Sequence, residues 1–199
     1  MKNVTNIRKY KLLSPLYDAL MGNRMFRNAR MKAFSLLDIK PNDRVLLVGV
    51  GTGEDIPLLP SHSEIVGIDL SPEMLNKARK KASRAVLMNM DAEALTFENE
   101  QFDVVILNLI LSVVENPEKA LSEAARVLAP DGSILVFDKF LDERQEPTAP
   151  RKLLNAVTSL IGTDINRRFD DIMKESSLKV EHQESSVFNG SYKIYVLKK

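Results

Sequence analysis

The chain has 199 residues, enough for one domain with a substantial core of its own. Its 28 Lys and Arg against 27 Asp and Glu leave a formal net charge of +1, so bulk charge gives no reason to expect a nucleic-acid partner. There are no cysteines, which excludes disulfides, thiolate metal sites and a cysteine nucleophile.

The first forty residues are basic: Lys2, Arg8, Lys9, Lys11, Arg24, Arg27, Arg30, Lys32 and Lys40 are set against only Asp18 and Asp38. Within them Tyr10, Leu13, Tyr17 and Leu20 recur at helical spacing, with Ser14-Pro15 as a start and Gly22 as a stop. A second helix is expected from about Asn23, with Phe26, Ala29, Ala33 and Leu36/Leu37 on one face. The opening "MKNVTNIRKY" lacks the apolar centre of a signal peptide, and the run "VVILNLILSVV" from Val104 is too short for a bilayer and carries Asn108. A soluble, cytoplasmic protein is the expectation.

Beyond Pro41 short apolar runs alternate with helical patterns. "DRVLLVGV", "EIVGIDL", "AVLMNM", "FDVVILNLI" and "SILVFDKF" read as strands; "PEMLNKARKKA" and "NPEKALSEAARVLA" between them read as helices, each with proline in its first turn. Strands apolar on both faces with helices between them imply an α/β, doubly wound, parallel sheet. From Leu141 a polar, Pro-containing connection leads into a short amphipathic helix, then a helix near "DINRRFDDIMKES". Asn189-Gly190 between "LKVEHQESSVF" and "SYKIYVLKK" signals a terminal antiparallel hairpin. The chain divides into a single domain, 1–199: basic N-terminal helices forming a lid (1–40), a ligand-binding core (41–140) and a variable substrate segment with helix and hairpin (141–199).

Three alternating glycines, Gly49, Gly51 and Gly53, close the first strand. A turn of this kind ahead of the first sheet helix brings backbone amides and a helix N-terminus to the carboxyl edge of a sheet, where ligands bind. The spacing is G-x-G-x-G rather than the dinucleotide G-x-G-x-x-G. Asp69 ends the second strand, 20 positions after Gly49, where a carboxylate accepts both hydroxyls of a ribose; Ser71 is the better cap for the helix at Pro72. Asp91-Ala92 follows the third strand, a carboxylate for an adenine amino group beside a small residue on which the ring can lie flat.

The stretches "VLLVGVGTG", "GIDLSPEML" and "MDAEALTFENEQFDVVILNLILSVVENPEKALSEAARVLAPDG" together resemble the successive motifs of class I S-adenosylmethionine-dependent methyltransferases of the type 11 group, over roughly residues 41–140. That resemblance implies a Rossmann-like, doubly wound, seven-stranded sheet, mostly parallel with an antiparallel last strand. It implies S-adenosyl-L-methionine as cofactor and no metal. It assigns Gly49, Val50, Gly51 and Gly53 to the methionine part, Asp69 to the ribose, Leu70 and Met74 to the surroundings of the adenine, and Asp91 and Ala92 to its flanks. Asn108 would face the methionine moiety and the substrate opening. The chain departs from the family at Leu47, where members often carry an acid that anchors the cofactor's amino end; Glu54 and Asp55 follow the turn and either substitute for that acid or, the preferred expectation, complement a helix dipole. The usual glycine pair before the fifth strand is Asp131-Gly132 here.

For the methyl acceptor, "YDALMGNRMFRNAR", "VGVGTGEDIPLLP" and "LILSVVENP" look similar to bacterial phospholipid N-methyltransferases acting on phosphatidylethanolamine. A basic helix with an apolar stripe suits the surface of an anionic bilayer, so a peripheral position on the inner face of the cell membrane is expected, with Arg24, Arg27 and Arg30 as the contacting bases. Tyr17 and Tyr10, whose rings can hold a methylated ammonium, and Asn108 are the candidate catalytic residues. Arg151, Lys152, Arg167 and Arg168 are candidates for a lipid phosphate; His62 and His182 read as surface or structural. The alternatives are methylation of a quinone or other small molecule, and a non-catalytic S-adenosylmethionine-binding module, which the missing acid at Leu47 favours.

Overall fold

In the computed structural model the described residues are 22–142, 146–160, 162–188 and 190–199. The expected helix carrying Tyr10 and Tyr17 lies outside them. The five apolar runs of the core become β1 (Arg44–Val48), β2 (Glu64–Asp69), β3 (Ala85–Asn89), β4 (Phe102–Asn108) and β5 (Leu128–Lys139), and the terminal runs become β6 (Lys179–Ser185) and β7 (Tyr192–Lys198). They form one seven-stranded sheet in the order β3-β2-β1-β4-β5-β7-β6. Pairing is parallel from β3 to β5, whereas β7 runs antiparallel to both β5 and β6. The last strand is thus the one that runs against the rest, as the sequence led us to expect.

Side chains alternate across the pleat, and each central strand buries both of its faces. Leu46, Val48, Val105, Leu107, Ile134 and Val136 face one apolar layer, closed by α3 (Pro117–Val127) through Leu121 and Ala124 and by α5 (Phe169–Met173) through Phe169. Val45, Leu47, Val104, Ile106, Leu135 and Phe137 face the other, closed by α1 (Arg24–Phe34) through Phe26, Ala29, Ala33 and Phe34, and by Leu75 of α2 (Pro72–Ala78). Leu47 is therefore plain core. Asn23, Ser71 and Asn116 each cap a helix by accepting a backbone N–H three residues on.

Four elements differ from the sequence expectation. α1 stops at Phe34 with Ser35 as its C-cap, so Leu36 and Leu37 lie in the turn beyond it. α2 ends at Ala78, before the Lys80-Lys81 pair, and α5 spans only Phe169–Met173 of the longer helical pattern. β5 starts at Leu128, directly after α3, so Asp131-Gly132 lies within the strand. Pairing there jumps from Phe102–Leu128 to Val104–Ser133, and the surplus residues of β5 form an irregularity that bends the strand into register. The amphipathic helix after the polar connection is α4 (Ala149–Leu160).

The irregularity is packed without slack at Gly132, where a β-carbon would meet the Asp103 carbonyl oxygen and the Leu128 Cδ1 at 2.7 Å each. Gly132→Ala is expected to cost about 1–3 kcal/mol, the range for overpacking, and to lower the melting temperature by about 2–4 °C for each of those kcal/mol. A thermal melt of the purified variant checks this; an unchanged midpoint would contradict the close approach of β4 and β5.

Candidate active site

Strand order reverses between β1 and β4, and the loops leaving their carboxyl ends part to open a crevice there, the usual place for a ligand in a sheet of this kind. Gly49 and Gly51 line it and Gly53 follows in the same loop, with φ of +73°, +55° and +82° in chain order, conformations that L side chains adopt with strain. The three serve different ends. A β-carbon on Gly49 would lie 2.7 Å from Ile110 Cδ1, and one on Gly53 would lie 3.2 Å from the Ala78 backbone at the end of α2. Above Gly51 the space is open, the nearest neighbour being the Gly49 carbonyl at 3.9 Å. Val50 between them is buried and its N–H donates to the Ile68 carbonyl at 2.8 Å. No α-helix follows the loop. A single 3₁₀ turn, Ile56–Leu58, takes its place, and Asp55 at its head makes no capping bond.

Asp69 is held by two backbone donors: Gly51 N–H to Oδ2 and Ser71 N–H to Oδ1, both at 2.8 Å. Burial pushes its carboxyl above the usual range, and these two bonds oppose that rise. Each oxygen still has a lone pair for a further donor, the chemistry of a paired-hydroxyl receptor. The neighbouring Leu70 is half-buried and Met74 buried. Asn89, which the sequence reading overlooked, ties β3 to this corner by donating to the Asp69 and Leu70 carbonyls at 2.9 and 3.0 Å. Two residues on, Asp91 accepts the Glu93 N–H at 2.9 Å, and Ala92 is buried.

Asn108 ends β4 on the opposite wall. Its Nδ2 donates to Asp55 Oδ2 at 2.9 Å, and Asp55 Oδ1 lies 3.1 Å from Arg30 Nε. With their side chains 5% and 12% exposed, Arg30 and Asp55 form a buried ion pair between α1 and the glycine loop. Burial raises the Asp55 pKa, while Arg30 and the Asn108 hydrogen bond pull it back. The oxygens Asn108 Oδ1, Asp55 Oδ1 and Thr52 Oγ1 are sealed from water without a hydrogen bond, and Gly49, Gly51, Thr52, Asp55, Asn108 and Arg30 line one small cleft. Leu109 beyond β4 is held at φ +57°. Open space over Gly51, spare acceptor capacity on Asp69 and polar oxygens lacking partners suit a ligand with hydroxyl and N–H donors, as a nucleoside attached to an amino acid has.

The expectation that Glu54 and Asp55 serve a helix dipole is overturned, since there is no such helix and Asp55 faces Arg30; Glu54 is paired with Lys81. Arg30 is likewise withdrawn from the bilayer-facing set, because it is buried while Arg24 and Arg27 are exposed. One clue was present in the sequence: Arg30 stands in the buried stripe 26, 29, 30, 33, 34 of α1, and a base in such a stripe needs a partner. Arg151 donates to the Ile165 carbonyl and to Asn166, Arg167 to the Leu111 and Val114 carbonyls, and Arg168 to Glu146. Arg167 therefore fastens the segment after β5 to the turn beyond β4, while Arg151 and Arg168 tie that segment to itself. Tyr10 and Tyr17 lie outside the described residues.

The solved structure of an S-adenosylmethionine-dependent methyltransferase from Thermotoga maritima superposes with a TM-score of 0.75, covering 98% of this chain and 99% of that one at 18% identity, and so shares the fold. A profile described as a methyltransferase domain matches residues 46–136. A phosphatidylethanolamine N-methyltransferase from Cereibacter sphaeroides is 34% identical over 182 residues, 88% of each chain. The protein belongs to the S-adenosylmethionine-dependent methyltransferases, with S-adenosylmethionine as methyl donor. A demethylmenaquinone methyltransferase from Thermus thermophilus is 35% identical over 138 residues, 63% of this chain and 62% of its own.

Removing one half of a buried ion pair leaves the other charge uncompensated. Arg30→Met is expected to destabilise the protein by about 3–5 kcal/mol, and the double substitution Arg30→Met/Asp55→Leu to recover most of that. Urea denaturation of both variants reads the difference; equal losses would show that the pair is not coupled.

Proposed function

We propose that the protein methylates the amine of a phosphatidylethanolamine-type phospholipid headgroup at a membrane surface. The observation that carries this reading is the extent of the similarity. The 182 residues aligned with the phospholipid enzyme reach well beyond the profile's 46–136 into segments that flank the core, at nearly the identity seen with the quinone enzyme over 138 residues. Quinone or other small-molecule methylation is the second reading, supported by that shorter match.

In this reading the glycine loop, Gly49, Val50, Gly51 and Gly53, passes beneath the methionine part of the cofactor, and the Asp69 carboxylate accepts from the ribose hydroxyls. Leu70, Met74 and Ala92 pack around the adenine, with Asp91 receiving its amino group. When bound, S-adenosylmethionine supplies a methyl group on a sulfonium that is already a good leaving group. The work left to the chain is alignment of the acceptor, which alone is worth about 7–11 kcal/mol of barrier. The headgroup ammonium first gives up a proton to water; the neutral amine then attacks through its lone pair and needs no base in the transition state. Asn108 stands at the opening toward the acceptor, and Tyr10 and Tyr17 are assigned the methylated ammonium that the transfer produces, through cation–π attraction.

Surface chemistry supports a peripheral position. The outer side of α1 exposes Arg24, Arg27, Met25 and Met31, and α4 exposes Leu153, Leu154 and Val157 beside Lys152. Bases beside apolar side chains suit the interface of an anionic bilayer. No helix among the described residues is long and apolar enough to cross a membrane.

Three outcomes are expected. Asp69→Asn weakens binding of S-adenosylhomocysteine by roughly 10–100-fold, the worth of one charge-assisted hydrogen bond, as read by isothermal titration. Expression in a bacterium lacking methylated phospholipids yields mono-, di- or trimethylated phosphatidylethanolamine by lipid mass spectrometry; unmodified lipid from cells holding folded protein would sink the lipid reading. Flotation with anionic liposomes falls on neutralising Arg24 and Arg27 and falls with added salt, and indifference to both would remove the electrostatic contact.

A further inference from the structure

Resting on the cofactor assignment above, we propose that Asp55 and Asn108 hold the α-ammonium of the cofactor's methionine end, and that Arg30 is the positioning residue that keeps the Asp55 carboxylate aimed at it. β1 brings no side-chain acceptor to this cleft at Leu47, which is buried in the apolar layer beneath α1. The acceptors come from the loop and from β4. The Asn108 amide is oriented by Asp55, because only the Nδ2 side can face a carboxylate; the reverse would oppose two acceptors. Asn108 Oδ1 is thereby left as a pure acceptor in a place sealed from water. Asp55 Oδ1, on the carboxylate that Asn108 contacts, is within ion-pair range of Arg30 Nε yet receives no hydrogen bond. Two acceptors without donors, on side chains that are hydrogen-bonded to each other and one of them anionic, call for a cationic group with several N–H bonds, which an ammonium supplies.

Charge balance points the same way. A bound amino-acid end brings one positive and one negative group beside the one positive and one negative group of Arg30 and Asp55, so these four charges sum to zero. Thr52 Oγ1, the third sealed oxygen, is a hydroxyl and can donate to the ligand's carboxylate. Because Arg30 belongs to α1, the grip on the ammonium also ties that helix to the occupied loop.

Isothermal titration with two ligands tests the assignment: S-adenosylhomocysteine, and 5′-methylthioadenosine, which keeps the adenosine and sulfur but lacks the amino-acid end. The wild-type protein is expected to prefer S-adenosylhomocysteine. Asp55→Asn and Asn108→Ala are each expected to weaken S-adenosylhomocysteine by roughly 10–100-fold while methylthioadenosine stays within about twofold. Asp69→Asn, on the ribose, should weaken both alike. Arg30→Lys should retain more of the preference than Arg30→Met. If Asp55→Asn fails to fold, Arg30→Met/Asp55→Leu, which removes both buried charges, gives the same reading. Equal loss of both ligands in the Asp55 and Asn108 variants, or no loss, overturns the proposal and leaves the cofactor assignment standing; a wild-type protein that binds neither ligand overturns both.

Discussion

The reversal of strand order between β1 and β4 is the constraint on which the site depends. Right-handed crossovers carry the chain to opposite sides of the sheet on either side of that point. The loops after β1 and β4 consequently separate, and the carboxyl ends of the strands stand open between them. The strand interiors are apolar on both faces, so polar side chains are tolerated only where a strand ends. Asp69 at the end of β2 and Asn108 at the end of β4 occupy such positions, and the glycine loop leaves from the third. The crevice is polar because it is where the apolar sheet stops.

A second coupling runs across this crevice. Arg30 reaches from α1 to Asp55, and Asp55 reaches across to Asn108, so one chain of buried contacts joins the N-terminal helix, the glycine loop and β4. A buried ion pair is a poor source of net stability compared with apolar packing. Its value here lies in geometry: the loop is not stiffened by a following α-helix, and the pair supplies a fixed point in its place. The apolar contacts of Phe26, Ala29, Ala33 and Phe34 seat α1 on the sheet; Arg30 sets the loop against α1.

The shared core says little about the acceptor, since both a phospholipid enzyme and a quinone enzyme match this chain. Discrimination belongs to the flanking segments, where the structure has changed the accounting of charge. Arg30, Arg151, Arg167 and Arg168 are engaged with other parts of the protein. Arg24, Arg27 and Lys152 are exposed next to Met25, Met31, Leu153 and Leu154. A count of basic residues therefore overstates the surface charge available to a membrane, while the apolar side chains beside the remaining bases are as important to such a contact.

Periodicity and turn chemistry sufficed to read the alternation of strands and helices, the terminal hairpin and the three capped helix starts from the sequence, because hydrophobic pattern and capping are local properties. The strand ends that carry Asp69, Asp91 and Asn108 were legible for the same reason, as polar residues closing apolar runs. Only the tertiary structure decided what the three glycines do: Gly49 and Gly53 avoid Ile110 and Ala78, partners distant in sequence, while Gly51 alone leaves open space. It alone also turned Arg30 and Asp55 from an expected membrane base and an expected complement of a helix dipole into partners, since residues 25 positions apart meet only when α1 is packed on the sheet. Local pattern decides which face of an element is apolar; which distant polar group a buried charge finds is decided by how those elements pack.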